Sequence, residues 1–334
     1  MIQVPARAPD ERLAVTASLP FFAVHVLALF AVQVGFRLRE VLVCVGLYYL
    51  RMFAITAGYH RYFSHRTYQA GRVFQFLLAL VGGMSAQKGA LWWAAHHRHH
   101  HRHSDEPEDI HSPTLKGFWW SHAGWFLCHK YDETRWENVK DLSRYPELVW
   151  LDKHHLVPPT LLGVALYALG GWSMLVWGMF VSTVLLWHGT FTINSLSHVF
   201  GTRRYKSTDT SRNNFWLALI TCGEGWHNNH HFHQNTANQG WFWWEVDFSF
   251  YALKALSWLG VVKKLRVVSD GTRYAHLKYT PEERRQLRDE ASGFQDPVLV
   301  AERLARAQAR MRGALAQAAE SLPSAGPSPA SARG

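Results

Sequence analysis

Histidine is the residue this chain overuses, with 21 in 334 positions, and many of them cluster. His60 and His65 close the segment HRYFSH. Residues 96–103 read HHRHHHRH. His198 ends NSLSH, four residues after Asn194, and His227, His230 and His231 lie in GEGWHNNHH, with His233 just beyond. In HxxHH the rings sit at i, i+3 and i+4, which is one face of a helix. Imidazoles gathered there repel one another if protonated, whereas a bound cation keeps them neutral. Imidazole suits iron, zinc, copper and nickel. Single histidines such as His25, His154, His155 and His276 read as ordinary polar residues, but three separated boxes together point to a metal centre. The 96–103 tract contains HxxHH twice, at 96/99/100 and at 97/100/101, and spacing alone leaves both registers open.

The boxes need scaffolding, and the hydrophobic residues supply it. Only 18% of residues are charged and 48% are hydrophobic, yet mean hydropathy is −0.15 because the two kinds are segregated. Leu19–Phe36 carries no charge, and Val41–His60 is broken only by Arg51. Val73–Trp92 is weaker, with Gln75, Gln87 and Lys88. Between Lys153 and Arg203 lie 49 residues without Asp, Glu, Lys or Arg. One crossing of the hydrocarbon needs about 20 residues. The long run therefore predicts two helices, 156–169 and 172–198, turning at Gly170-Gly171. Leu19–Phe36 is expected to be a retained span rather than a cleaved signal peptide, with Pro20 in its first turn.

Shared ligation adds a topological constraint. The first box ends the second apolar stretch and the second box follows the third. A crossing by Val73–Trp92 would put them on opposite sides of the bilayer, so residues 73–92 are predicted to lie in the membrane plane. The expected fold class is an all-α integral membrane protein with four spans, at 19–36, 41–60, 156–169 and 172–198, and both termini on the metal side. Twelve Lys and Arg in 61–153 make that side cytoplasmic, although Arg37 and Arg39 in the opposite loop weakly oppose this. The expected division is an N-terminal segment 1–18, a main domain 19–260, a C-terminal helical region 261–320 and a disordered tail 321–334. Thr280-Pro281-Glu282-Glu283 reads as a helix start with a capping box, and 297–320 as a further helix.

At this point HRYFSHRTY, HRHHH, NSLSH and GEGWHNNHH resemble the motifs of membrane acyl-CoA and acyl-lipid desaturases of the stearoyl-CoA desaturase type, from about residue 40 to 260. The resemblance implies four transmembrane helices capped by a cytosolic domain that holds a diiron site. Carried over, its nine ligands are His60, His65, His97, His100, His101, His198, His227, His230 and His231. Asn194 matches an asparagine that approaches one iron through water. The family places Arg directly after the first His of the second box, which only His97-Arg98 satisfies. His96, His99 and His103 are then extra, and are expected at the surface. Asp105, Glu106, Glu108, Asp109 and Glu224 lie beside the boxes as candidate hydrogen-bond partners of the ligands.

The activity implied is O2-dependent insertion of a cis double bond, at the delta-9 position, into a long saturated acyl chain carried on CoA or lipid. No side-chain acid or base breaks an unactivated C–H bond, whereas two Fe ions with O2 can. No HPGG-type haem motif occurs, so electrons are expected from a separate ferredoxin, cytochrome b5 or similar donor. A bacterial inner membrane is the expected location. Lys130, Arg135 and Lys140 are candidates for CoA phosphates, but His129 stands where animal acyl-CoA enzymes are basic. The alternatives are a related di-metal fatty acyl hydroxylase and, from another class, a membrane metal-binding or transport protein, which would place ligands within its spans. A net charge of +10 raises nucleic-acid binding, but no motif or contiguous basic patch supports it. Three distant cysteines exclude a disulfide scaffold or zinc ribbon.

Overall fold

A computed structural model describes residues 8–292 together with 309, 312 and 313. The described chain is mostly helical, with connecting turns and loops, one pair of two-residue strands and isolated bridges. Among the described residues, three helical stretches are long and apolar enough to cross a membrane: Val15–Val34, Leu38–Ser64 and Val157–His198.

The first helix, α1, runs Val15–Ala28 and continues in a short turn, Ala31–Val34. It starts earlier than the charge-free window suggests. The Ala14 amide and the Ser18 hydroxyl donate to the carbonyl of Leu127 at 2.8 and 3.3 Å, so the polar residues before Leu19 are anchored and join the helix. Pro20 therefore lies inside the helix, not in its first turn. Helix α2, Leu38–Phe53, passes into a π-helix over Ala54–Ser64. The predicted in-plane helix 73–92 is two helices, α3 (Arg72–Gly83) and α4 (Ala90–His103). Ala86 and Lys88 between them take positive φ, 53° and 62°, which no continuous helix tolerates. The Asp152 carboxylate accepts from the amides of Leu91 and Trp92 at 3.1 and 2.9 Å, which starts α4 there. A Cβ at Gly89 would lie 2.1 Å from Asp152 Oδ1, so only glycine admits this cap.

The cap also contains α5 (Phe118–His122) and α6 (Pro146–Lys153), the element that brings Asp152. Helix α7, Val157–Leu175, is interrupted at Gly171, whose φ of 64° and ψ of −156° are not helical. A π-turn, Val176–Val181, leads into α8, Ser182–Asn194. At about 1.5 Å per residue the 42 residues of Val157–His198 would extend about 63 Å if straight, twice a hydrocarbon core. The break at Gly171 falls where the glycine pair predicts a turn.

The rest of the cap is built from α9 (Phe215–Ile220), α10 (His227–Phe232), α11 (Phe248–Trp258) and α12 (Pro281–Ser292). Asn214 and Asp247 cap α9 and α11 with their side chains. The capping box at α12 forms as predicted: Thr280 N donates to Glu283 at 2.7 Å, and Glu283 N to Thr280 Oγ1 at 3.2 Å. Gln69–Ala70 pairs antiparallel with Val262–Lys263, clipping the chain after the first histidine box to the C-terminal region. Residues 1–7, most of the predicted helix 297–320 and the tail 321–334 lie outside the described residues.

Candidate metal centre

The first box depends on the π-helix. Five residues apart on an α-helix means about 140° around the axis. In the π-helix the amide of His65 instead reaches the carbonyl of His60, at 3.1 Å. The wider turn brings both rings to one side, 4.7 Å between centroids. The second box projects His97, His100 and His101 from one face of α4, the third His227, His230 and His231 from α10. His198 follows α8 on a single 3-10 turn.

These side chains meet in two adjoining clusters. His60, His65, His97, His101 and His230 form one, each offering a nitrogen within 4.8 Å of the others. Nε2 of His230 lies 3.0 Å from Nε2 of both His60 and His101, and His65 Nε2 lies 2.9 Å from His97 Nε2. His100, His198 and His231 form the second. His227 joins it, with Nε2 3.1 Å from His198 Nε2 and its ring 4.3 Å from that of His231. Adjacent residues on α4 and α10 (100 with 101, 230 with 231) link the two. All nine histidines singled out from the sequence are brought together, and the register 97/100/101 is the one that faces inward.

His96, by contrast, is buried rather than superficial. Its Nδ1 donates to the Trp92 carbonyl at 2.9 Å and its ring packs on Trp92. The aromatic wall of Trp92, Trp125 and Tyr131 takes it into the core. His99 Nε2 bonds the Glu108 carbonyl, and His103 sits half-buried 3.6 Å from Glu106, both away from the clusters.

Most second nitrogens that are engaged have acidic partners. Asp109 holds His100 Nδ1 at 2.9 Å, Glu224 holds His60 Nδ1 at 2.6 Å, and Asp209 holds His231 Nδ1. Thr210 Oγ1 meets His198 Nδ1 at 3.3 Å and itself donates to Asp105 at 2.6 Å. Such partners fix the tautomer and aim the free Nε2 lone pair inward. Of the five acids flagged by proximity, Asp109, Glu224 and, through Thr210, Asp105 serve the site. Glu106 and Glu108 do not. Asp209 and Thr210 escape sequence reading, since they stand 22 and 12 positions from the histidines they support. Behind Glu224 lies a buried network: Arg61 pairs with Glu224 at 3.0 Å and with Asp247 at 2.9 Å. A Cβ at Gly223, where φ is +117°, would lie 2.3 Å from Asp247 Oδ1.

The electrostatics suit neutral ligands. Burial, then the neighbouring imidazoles, hold His65, His97, His101, His227 and His230 well below the usual histidine range. Burial also opposes a charge on His100, but Asp109, backed by Asp209 and Asp105, outweighs it and raises that group. His231 Nε2 is buried without a partner among the described residues, although its Nδ1 is engaged by Asp209. A lone pair left so costs about 1–3 kcal/mol. Unprotonated nitrogens about 3 Å apart repel, and a cation between them removes the conflict. Two nitrogens at right angles around an ion at about 2.1 Å lie about 3.0 Å apart, which agrees with the spacings here. The all-nitrogen donor set fits iron and equally admits zinc.

Asn194 ends α8, and its carbonyl accepts from Ser121 Oγ at 2.7 Å. Lys130 is paired with Glu11 at 2.7 Å, and the guanidinium of Arg135 lies 5.9 Å from the centre of the Tyr131 ring.

A mostly helical chain with three stretches apolar enough to cross a membrane and two adjoining histidine clusters that could hold metal fits a membrane metalloprotein. The family model described as fatty acid desaturase matches residues 40–259, and the chain belongs to that family. It is accordingly an oxidoreductase, a fatty acyl desaturase. It is 39% identical over 255 residues to the sn-1 stearoyl-lipid 9-desaturase of Anabaena variabilis, covering 75% of this chain and 93% of that one. It is 37% identical over 215 residues to the sn-2 palmitoyl-lipid 9-desaturase of Nostoc sp. (strain 36), covering 63% and 75%. An acyl-CoA C20 Delta5-desaturase of Anemone leveillei is 36% identical over 250 residues, 74% and 80% of the two chains.

Proposed function

We propose that this chain places a cis double bond at the delta-9 position of a long saturated acyl chain, at a diiron centre held by the nine histidines. The observation that carries this reading is the convergence of nine imidazoles into two adjoining clusters with inward-facing Nε2 atoms. His60, His65, His97, His101 and His230 would hold one ion, and His100, His198, His227 and His231 the other. With O2 and external electrons, iron supplies the oxidising power that removes hydrogen from an unactivated carbon chain. The protein's residues orient and enclose. Asp109, Asp209 and Glu224 fix the imidazole tautomers, the apolar helices line the path of the acyl chain, and the buried position of the clusters keeps bulk water away. Asn194, four residues before His198, would act through water beside the second cluster.

An acyl lipid is the favoured carrier over acyl-CoA. The two 9-desaturase relatives bear acyl-lipid names, and Lys130 is committed to Glu11. The length of Val157–His198 and its break at Gly171 support four crossings, with the histidine cap and both termini on one side. The basic residues of 61–153 support a cytoplasmic cap, in a bacterial inner membrane. Ferredoxin, cytochrome b5 or a similar carrier would dock on that cap.

The test is expression in a host lacking this activity, with a competent reductase, and fatty acid profiling by mass spectrometry beside His100→Ala. A new cis-9 double bond with the unaltered chain, absent with the variant, is expected. A hydroxylated product would transfer the reading to the hydroxylases, and no product from an iron-loaded, reduced protein would overturn it. Fractionating the products by lipid class identifies the carrier.

A further inference from the structure

Three histidines outside the nine form a separate line. His25 lies on α1, His188 on α8 and His122 at the end of α5. His25 Nε2 meets His188 Nε2 at 3.1 Å, and His188 Nδ1 meets His122 Nε2 at 2.9 Å. His122 Nδ1 meets Ser195 Oγ at 2.9 Å, and His25 Nδ1 meets the Phe21 carbonyl at 2.8 Å. Every ring nitrogen in the line is engaged. Polar groups placed among apolar helices are costly unless so satisfied, and their presence there calls for a role.

Read from the Phe21 carbonyl, the line has one direction. The Phe21 carbonyl only accepts, so His25 carries its proton on Nδ1 and accepts at Nε2. His188 must then donate from Nε2 and accept at Nδ1. His122 in turn donates from Nε2 and accepts at Nδ1. The one proton of the Ser195 hydroxyl then faces two acceptors, His122 Nδ1 at 2.9 Å and the Phe191 carbonyl at 3.0 Å, and is shared between them. A carbonyl at the far end cannot pass a proton on, so the line does not conduct protons. It fixes position.

What it fixes is the junction after α8. Ser195 is wholly buried, and the carbonyl of Asn194 is held from the same short helix by Ser121 at 2.7 Å. The amide of His198 bonds back to the Ser195 carbonyl at 3.2 Å. Ser121 and His122 thus grip the turn that presents Asn194 and His198, while His188 and His25 brace that grip against α8 and α1.

We propose that His25, His188 and His122 are positioning residues whose hydrogen-bond line sets the Asn194–His198 turn, so that the four-histidine cluster takes its metal ion only when the line is intact. This rests on the metal reading above. The critical demand is an acceptor at the place of His122 Nδ1. Asparagine can put its Oδ1 there, whereas glutamine reaches only toward the place of Nε2.

The experiment is metal counting by mass spectrometry on the full-length protein purified in detergent, with turnover measured in parallel. The unaltered chain should hold about two ions. His122→Leu and His122→Gln should each hold about one and lose more than about 10-fold in turnover, in the range seen when groups behind ligands are removed. His122→Asn should recover the second ion. Retention of two ions by His122→Leu, equal behaviour of the Asn and Gln variants, or loss of both ions from all three overturns the proposal. Fewer than two ions in the unaltered chain would instead break the metal reading on which it rests.

Discussion

The two histidine clusters are built differently. Among the described residues the five-membered one has a single carboxylate at its back, Glu224 on His60, and that carboxylate is already shared with the buried Arg61. The four-membered one is backed by Asp109 and Asp209 directly and by Asp105 through Thr210. One cluster relies on the number of its donors, the other on negative charge behind fewer donors. A carboxylate behind an imidazole raises its basicity, so a cation on the four-histidine side would meet the more strongly donating ligands. The pair is chemically unequal despite its uniform ligand type.

This contrast can be broken in order of expected effect. Glu224→Gln should act on the fold more than on the metal, because it leaves Arg61 buried with only Asp247. Breaking a buried pair costs about 3–5 kcal/mol, and the remaining partner puts this case at the lower end. The thermal midpoint of the metal-loaded protein checks it. Removing a ligand comes next. A four-ligand site gains about 10–16 kcal/mol on binding, or about 3 per ligand, so His227→Ala should weaken one ion by about 100-fold. His65→Ala leaves four donors in its cluster and should weaken the other ion less. Competition with a chelator measures both, and equal losses would erase the distinction drawn here. Asp209→Asn should reduce affinity for the ion of the four-histidine cluster by about 10–100-fold while leaving the thermal midpoint of the metal-free protein nearly unchanged.

The metal-free protein offers a pH test. His65, His97, His101, His227 and His230 are held well below the ordinary range by burial and by each other. Below about pH 6.5 the unfolded chain takes up protons that the native clusters refuse. Stability is therefore complete above that value and falls as pH drops, by about 1.4 kcal/mol per pH unit for each proton refused. Denaturant titrations at pH 7.5 and 5.5 check the sign, and bound metal should flatten the dependence. The smallest effect lies outside both clusters. Thr280→Ala removes the capping box of α12 and should cost about 1 kcal/mol, local to that helix. Hydrogen exchange there should quicken with no change in metal content.

Much of the centre was legible because helical spacing and metal ligation impose the same pattern. His97/His100/His101 and His227/His230/His231 announce a shared face by their spacing alone. The supporting acids were legible only where they stand next to a box. Asp109 and Glu224 do, but Asp209 reaches His231 across a fold that no local pattern encodes. The π-helix was invisible for a related reason: HxxxxH states that two ligands converge, not which backbone lets them. His96 misled because a histidine beside ligands looks polar, whereas an aromatic pocket of Trp92, Trp125 and Tyr131 makes it part of the core. Helix ends followed tertiary anchors rather than hydropathy, as at Ala14 and Ser18 on the Leu127 carbonyl.

The pairing of Gln69–Ala70 with Val262–Lys263 has a consequence for biosynthesis. It joins the loop behind the first box to residues made almost two hundred positions later, and His60 meets His230 across 170. At about 5–20 residues per second, a ribosome needs roughly 10–30 s to make the stretch between those two histidines. Until then the five-histidine cluster lacks His230 and the four-histidine cluster lacks His231. On the diiron reading, complete loading of both clusters would therefore be a late event, after the segment from His230 to Lys263 has left the ribosome and latched on.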